Sequence, residues 1–239
     1  MAVADAVVFE IYLGAQNANH ETLVSFLGAR EDAEGGIGDL SATKDDVDNL
    51  TDLLYLARWA NSWDLDQAWS TQVGVSALHG PNATGSSAET WIYGADMVAK
   101  WRPSHSYRGW PFLTWETEVI ARNYDIDTAN PDFDPASTDK ALKDWGLYTQ
   151  ALYGFTPRWG AGLRLEYASG SGDGLEARAD DPFRADRFRI SPLLAFYLTE
   201  FSRIRLQYNY DHADHLAEDA HSVWVGFEVL YGAHPAHRF

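Results

Sequence analysis

The chain has 239 residues, no cysteine and a formal net charge of -17, from 35 acids against 18 bases. That balance argues against a nucleic-acid partner, which needs a basic face, and the lack of cysteine excludes disulfides and thiolate metal sites. Aromatic residues make up 14% of the chain and include ten tryptophans, yet no run approaches the roughly 18 apolar residues of a membrane helix.

The opening MAVADAVVFE shows neither the basic start nor the long apolar block of a signal peptide. From there, two-residue alternation of apolar and polar side chains recurs, the period of a half-buried strand. It predicts ten strands in a single domain spanning 1–239. The first, 7–16, sets Val7, Phe9, Ile11 and Leu13 against Glu10, Tyr12 and Gln16. The second, 52–61, carries Leu53, Tyr55, Ala57 and Trp59 on its apolar side, and the third, 69–78, carries Trp69, Val73, Val75 and Ala77. The fourth, 91–101, runs Trp91, Tyr93, Ala95, Met97, Ala99, Trp101. In the fifth, 112–122, Leu113, Trp115, Val119 and Ala121 alternate with Thr114, Glu116, Glu118 and Arg122. The sixth and seventh are 144–155 and 160–168, where Leu163, Leu165 and Tyr167 alternate with Arg164 and Glu166. The eighth, 187–198, holds Phe188 and Ile190 against Arg187 and Arg189, and contains Pro192, which cannot donate to a ladder; a bulge is the expected remedy. The ninth, 203–211, alternates Ile204, Leu206, Tyr208 and Tyr210 with Arg205, Gln207, Asn209 and Asp211. The tenth runs Val223, Val225, Phe227, Val229, Tyr231, and the chain ends on Phe239.

The links alternate too. Those at 62–68, 102–111, 156–159 and 199–202 are short; those at 17–51, 79–90, 123–143, 169–186 and 212–220 are long and polar or acidic. Short and long in turn is the habit of a transmembrane β-barrel, with tight periplasmic turns and long outer loops, and an even strand number fits it. Aromatic side chains gather at the short-turn ends: Trp63, Trp69, Trp101, Tyr107, Trp110, Phe155, Trp159, Phe201, Tyr231 and Phe239. Such rings favour a membrane interface, half buried and half wet. The expected fold is therefore an all-β, antiparallel up-and-down transmembrane barrel whose first partner is the lipid bilayer.

The polar faces carry Glu10, Asp96, Glu116, Glu118, Glu166, Asp211 and Glu228, matched in number by Arg58, Lys100, Arg122, Arg164, Arg187, Arg189 and Arg205. In a barrel these charges line the lumen and sum to zero, leaving the acid excess to the loops. They could bound an aqueous path or fill a narrow interior with salt bridges, since barrels of about eight strands are just filled by side chains.

A last strand of alternating apolar residues closing on Phe resembles the C-terminal signal of Gram-negative outer-membrane proteins. Val225, Phe227, Val229, Tyr231 and Phe239 carry that likeness, which implies the barrel-assembly machinery as a partner and the outer membrane as the location. The phrases YGADMVAKWRP, EFSRIRLQYNYD and HSVWVGFEVLYGAHPAHRF resemble a plugless, porin-like family often catalogued as zinc-regulated TonB-dependent outer membrane receptors. Its members are longer at the N-terminus, so the chain is similar to the C-terminal part of such a barrel.

Passive passage of small polar solutes or ions is the function expected. A closed structural barrel whose acidic loops bind a partner or cations is the alternative. An outer-membrane hydrolase is a further one, though Asp211 and His212 start toward opposite faces and no GxSxG motif is present. The DHADH motif offers His212 and His215, with His221 nearby, as weak zinc candidates; His234 and His237 are weaker still. A solvated acidic loop explains these residues equally, so neither metal nor cofactor nor catalysis is expected. The oligomeric state is left open.

Overall fold

A computed structural model describes residues 9–17, 20–29, 54–82, 84–85, 88–127, 141–171, 185–214 and 216–229, the first two segments as backbone. They form β1 (Phe9–Asn17), β2 (His20–Ala29), β3 (Leu54–Asp64), β4 (Trp69–Pro81), β5 (Glu89–Trp101), β6 (Phe112–Asp125), β7 (Ala141–Thr156), β8 (Trp159–Ser171), β9 (Arg187–Thr199), β10 (Ser202–Ala213) and β11 (Ala220–Val229). All join one sheet in chain order, each antiparallel to its neighbours, and no described residue is helical. The architecture is the up-and-down all-β sheet that the alternation predicts. Among the described residues β1 and β11 have one partner each, and the sheet is open.

The strand count differs from the expected ten, and its even parity is lost. β2 falls within 17–51, read above as loop. Its sequence HETLVSFLGA places Leu23 beside Val24 and Phe26 beside Leu27, so apolar pairs blur the period of two. The rhythm of the links survives. Asn17 pairs with His20, and His20 pairs with Trp63, which places the added tight turn at the same end as the link 65–68.

The expected bulge at Pro192 is also absent. Gln207 pairs with Leu193 and Tyr210 with Ile190, a step of three residues on each strand, so the register is unbroken across the proline. On its other side Pro192 pairs with Leu163 in an equally regular ladder. One missing donor costs a ladder bond but does not require an inserted residue. The register shifts that do occur lie at the short-turn end, between Gly154 and Thr156 and between Ser202 and Arg203.

Because side chains alternate across a strand, this register sorts the sheet into two faces. One face carries Trp59, Val75, Tyr93, Trp115, Leu147, Leu163, Leu194, Leu206 and Val225, all exposed. The other carries the charges. A cleft of about 320 Å³ is lined by Glu118 of β6, Tyr148 of β7, Glu166 of β8, Arg189 of β9 and Asp211 of β10. A cleft shared by five successive strands makes the polar face the concave one.

Candidate functional site

The centre of the concave face is one row of paired positions. Gly74, Asp96, Glu118, Tyr148, Glu166, Arg189 and Asp211 stand opposite one another from β4 to β10. The row beside it contains Glu116, Gln150 and Arg164. Gln150 donates to Glu116 at 2.5 Å and accepts from Arg164 at 3.3 Å. Arg164 donates to Glu166 at 2.8 Å, and its guanidinium lies 3.9 Å from the centre of the Tyr148 ring, a cation–π contact. Arg189 lies 3.8 Å from the other Glu166 oxygen and donates to Asp211. A chain of polar contacts therefore crosses five strands without a break.

Three further pairs flank it. Arg58 and Asp96 make a bidentate bond of 2.6 and 2.8 Å that skips a strand, from β3 to β5. It passes over Gly74, where an added Cβ would come within 2.5 Å of both Arg58 Nη2 and Asp96 Oδ2. Arg122 donates to Asp144 at 2.8 and 3.1 Å, and Arg203 bonds Glu228 at 2.7 Å. Asp144 and Arg203 belong to this face but are not among the fourteen charges read from the sequence. Each is the first residue of a predicted strand, and the alternation of that strand already puts it on the polar side.

All thirteen of those fourteen charges whose side chains are described lie on the concave face: Arg58, Asp96, Lys100, Glu116, Glu118, Arg122, Arg164, Glu166, Arg187, Arg189, Arg205, Asp211 and Glu228. Glu10 lies in β1, whose side chains are outside the described ones. Arg205 differs from the rest: among the described residues it makes no hydrogen bond or ion pair.

Both ends of this face are narrowed by chain that folds over it. At the short-turn end Tyr107 and Trp110 exchange backbone bonds of 2.9 and 3.1 Å. Arg108 and Gly109 between them have φ of 53° and 83°, the left-handed pair of a type I′ turn. Trp110 then packs on Phe112 and Tyr197, with ring centres 4.7 and 5.3 Å apart. Gly154 leaves room beneath them: an added Cβ would clash with the rings of Phe112 and Trp110. Trp110 was expected in the interface belt; the turn instead directs it to the concave side. At the long-link end Asn82 and Thr84 are fully buried. Asn82 donates to the Asp125 carbonyl at 2.9 Å and receives the Thr84 hydroxyl at 2.6 Å. This ties the β4–β5 link over the buried Tyr124 and Leu142.

Some of the described polar atoms on the apolar face bond one another. Thr117 and Thr149 share a hydrogen bond of 2.8 Å, and the Trp115 indole donates to Thr149 at 2.9 Å. Thr71 donates to the Val98 carbonyl at 3.1 Å. At the short-turn end Trp69 packs near Trp101 and Trp159 packs against Phe196, at 6.4 and 4.7 Å. Trp63 lies there as well, pairing with Thr71, and Tyr107, Phe155 and Phe201 are exposed. Tyr231 and Phe239 lie outside the described residues.

The histidine candidates diverge. His212 bonds Asp219 at 2.7 Å, while His221 bonds the Tyr208 hydroxyl at 2.6 Å. His215, His234 and His237 lie outside the described residues, among which no group of three or more potential ligands forms. Asp211 faces Arg189 while His212 points to the other side, as their adjacency predicts. Hydrogen bonds from Tyr210 and then His212 hold the Asp219 carboxyl below its ordinary value.

No protein-family model matches the chain. It is 29% identical over 159 residues to an uncharacterized protein of Aquifex aeolicus (strain VF5), a match covering 64% of this chain and 32% of that one. The chain thus spans about a third of the length of this relative.

Proposed function

We propose that the sheet is part of the wall of an outer-membrane β-barrel through which small polar solutes or ions pass without chemistry. One observation carries the reading: the apolar face is exposed on nine successive strands while the opposite face pairs its charges. A soluble protein rarely leaves so large an apolar surface uncovered. In lipid the arrangement is favourable, because the backbone polar groups between neighbouring strands are held in ladders and the outward Thr117 and Thr149 hydroxyls bond each other. Short turns then face the periplasm and long links the exterior. The open edges need further strands, since unpaired edges are not tolerated in hydrocarbon. A chain that resembles the C-terminal part of a longer plugless barrel has a source for them, and eleven strands already exceed the eight whose interior side chains just fill.

The packed ends favour a second reading. The Trp110, Phe112 and Tyr197 rings and the Asn82 link would suit a closed barrel that serves as a scaffold.

Recording across planar bilayers, on this chain and on the longer protein, separates the two. Steady conductance, with mild cation preference from the acidic links, supports the channel. Insertion without conductance by both proteins leaves the scaffold. A monodisperse monomer without detergent would sink both.

A further inference from the structure

We propose that the cleft around Arg205, walled by β9, β10 and β11, binds a small solute through an oxyanion, either a carboxylate or a phosphate group. The proposal deepens the channel reading and rests on it for its biological setting, though not for its test.

The cleft encloses about 280 Å³ and is lined by Arg189, Arg205, Gln207, Asn209, Ser222 and Trp224, with no acid among its lining residues. This sets it apart from the neighbouring cleft, which holds Glu118, Glu166 and Asp211. Arg189 is already committed to Asp211. Arg205 is not committed: its cross-strand neighbours are Ala195 and Gly226, and neither supplies an acceptor side chain. A guanidinium offers five N–H donors in a planar fork and no acceptor. That fork matches the two oxygens of a carboxylate or phosphate.

The surroundings are shaped to leave the fork open. A Cβ added at Gly226 would meet nothing nearer than Arg205 Nε at 4.0 Å, so no other described atom crowds that side of the arginine. Behind it the polar side chains hold one another. The Asn209 amide lies 2.7 Å from Gln207 and 3.0 Å from Ser222, and the Trp224 indole donates to Ser222 at 3.1 Å. These bonds fix the wall and leave the arginine as its unspent donor. Trp224 is 64% exposed and stands on the concave side, next in line to Gly226, so a ring is available to cover the body of a solute whose anionic group meets Arg205.

The test is calorimetric titration of the intact, detergent-refolded protein with sodium phosphate and, separately, sodium benzoate, at ionic strength fixed with chloride. At least one should bind in the millimolar range. Arg205→Gln should weaken binding about tenfold or more, the loss expected for a charge-assisted hydrogen bond. Arg205→Lys, which keeps the charge but loses the fork, should fall between. Circular dichroism and heat-modified gel mobility show whether each variant folds; if Arg205→Gln does not, the lysine variant decides. Phosphate binding alone identifies an inorganic oxyanion as the ligand. Benzoate binding that Trp224→Ala weakens identifies an organic acid held on the indole. No heat with either anion, or unchanged affinity in the Arg205 variants, overturns the site. Binding without conductance keeps the site and removes the channel, whereas conductance without binding does the reverse.

Discussion

Two arginines of this sheet stand beside a glycine of the neighbouring strand, and their fates differ. Arg58 reaches across Gly74 to Asp96 and forms a two-pronged bond, whereas Arg205 stands opposite Gly226 and bonds nothing among the described residues. Only at Gly74 does the missing Cβ clear the path of a guanidinium. The strand beyond differs as well. β5 carries an acid in the receiving row, while β11 is the last described strand. An arginine beside a glycine is thus a tie or a vacant donor according to whether a third strand answers it.

Asp96→Asn should have the largest effect on this contrast. It leaves Arg58 a half-buried charge with a neutral partner. The side chains of the pair are 35% and 17% exposed, so the loss should be about 2–3 kcal/mol, below the value for a fully buried pair. The urea midpoint of refolding into vesicles measures it, and no shift would show that water already screens the pair. Gly74→Leu should come next, at about 1–2 kcal/mol, because its side chain occupies the path of the bond although both partners end in flexible groups that can retreat. The same substitution at Gly226 should change stability by under about 0.5 kcal/mol; equal costs at the two glycines would contradict the difference drawn between them.

Gly226→Glu reverses the comparison by giving Arg205 a partner. The gain should be only about 0–1 kcal/mol, as for other exposed pairs, but oxyanion binding at the cleft should be lost. The smallest effect concerns pH at the other end of β10. The depressed Asp219 carboxyl contributes stability that is present above its unfolded value of about 3.9 and lost as pH falls through the lower folded value. The carboxyl carbon resonance of Asp219 should therefore show its titration step below about pH 4, and Asp219→Asn should abolish that step.

How much of this was legible depends on the range of the signal. Alternation is local: a strand turns each successive side chain to the other face, so Glu116, Arg164 and Arg205 could be assigned to the polar side from their own segments. The same rule failed at β2, where Leu23–Val24 and Phe26–Leu27 conceal the period. Asp144 and Arg203 open two predicted strands and obey the same rule, although the fourteen charges read from the sequence omit them. Pro192 misled in the other direction, because a forbidden donor was taken to demand a bulge that the ladders on both sides do without.

The sequence by itself determined the strand class, the two faces and the side on which each described charge lies, because these follow from a period of two within single segments. Only the tertiary structure decided which charges meet. The Arg58–Asp96 bond depends on β3, β4 and β5 being in register with Gly74 between them, and the turn at Arg108 and Gly109 draws Trp110 off the apolar side. Arg205 stays free for the same kind of reason. Register between strands is set by the whole ladder and its turns, and no single segment contains it.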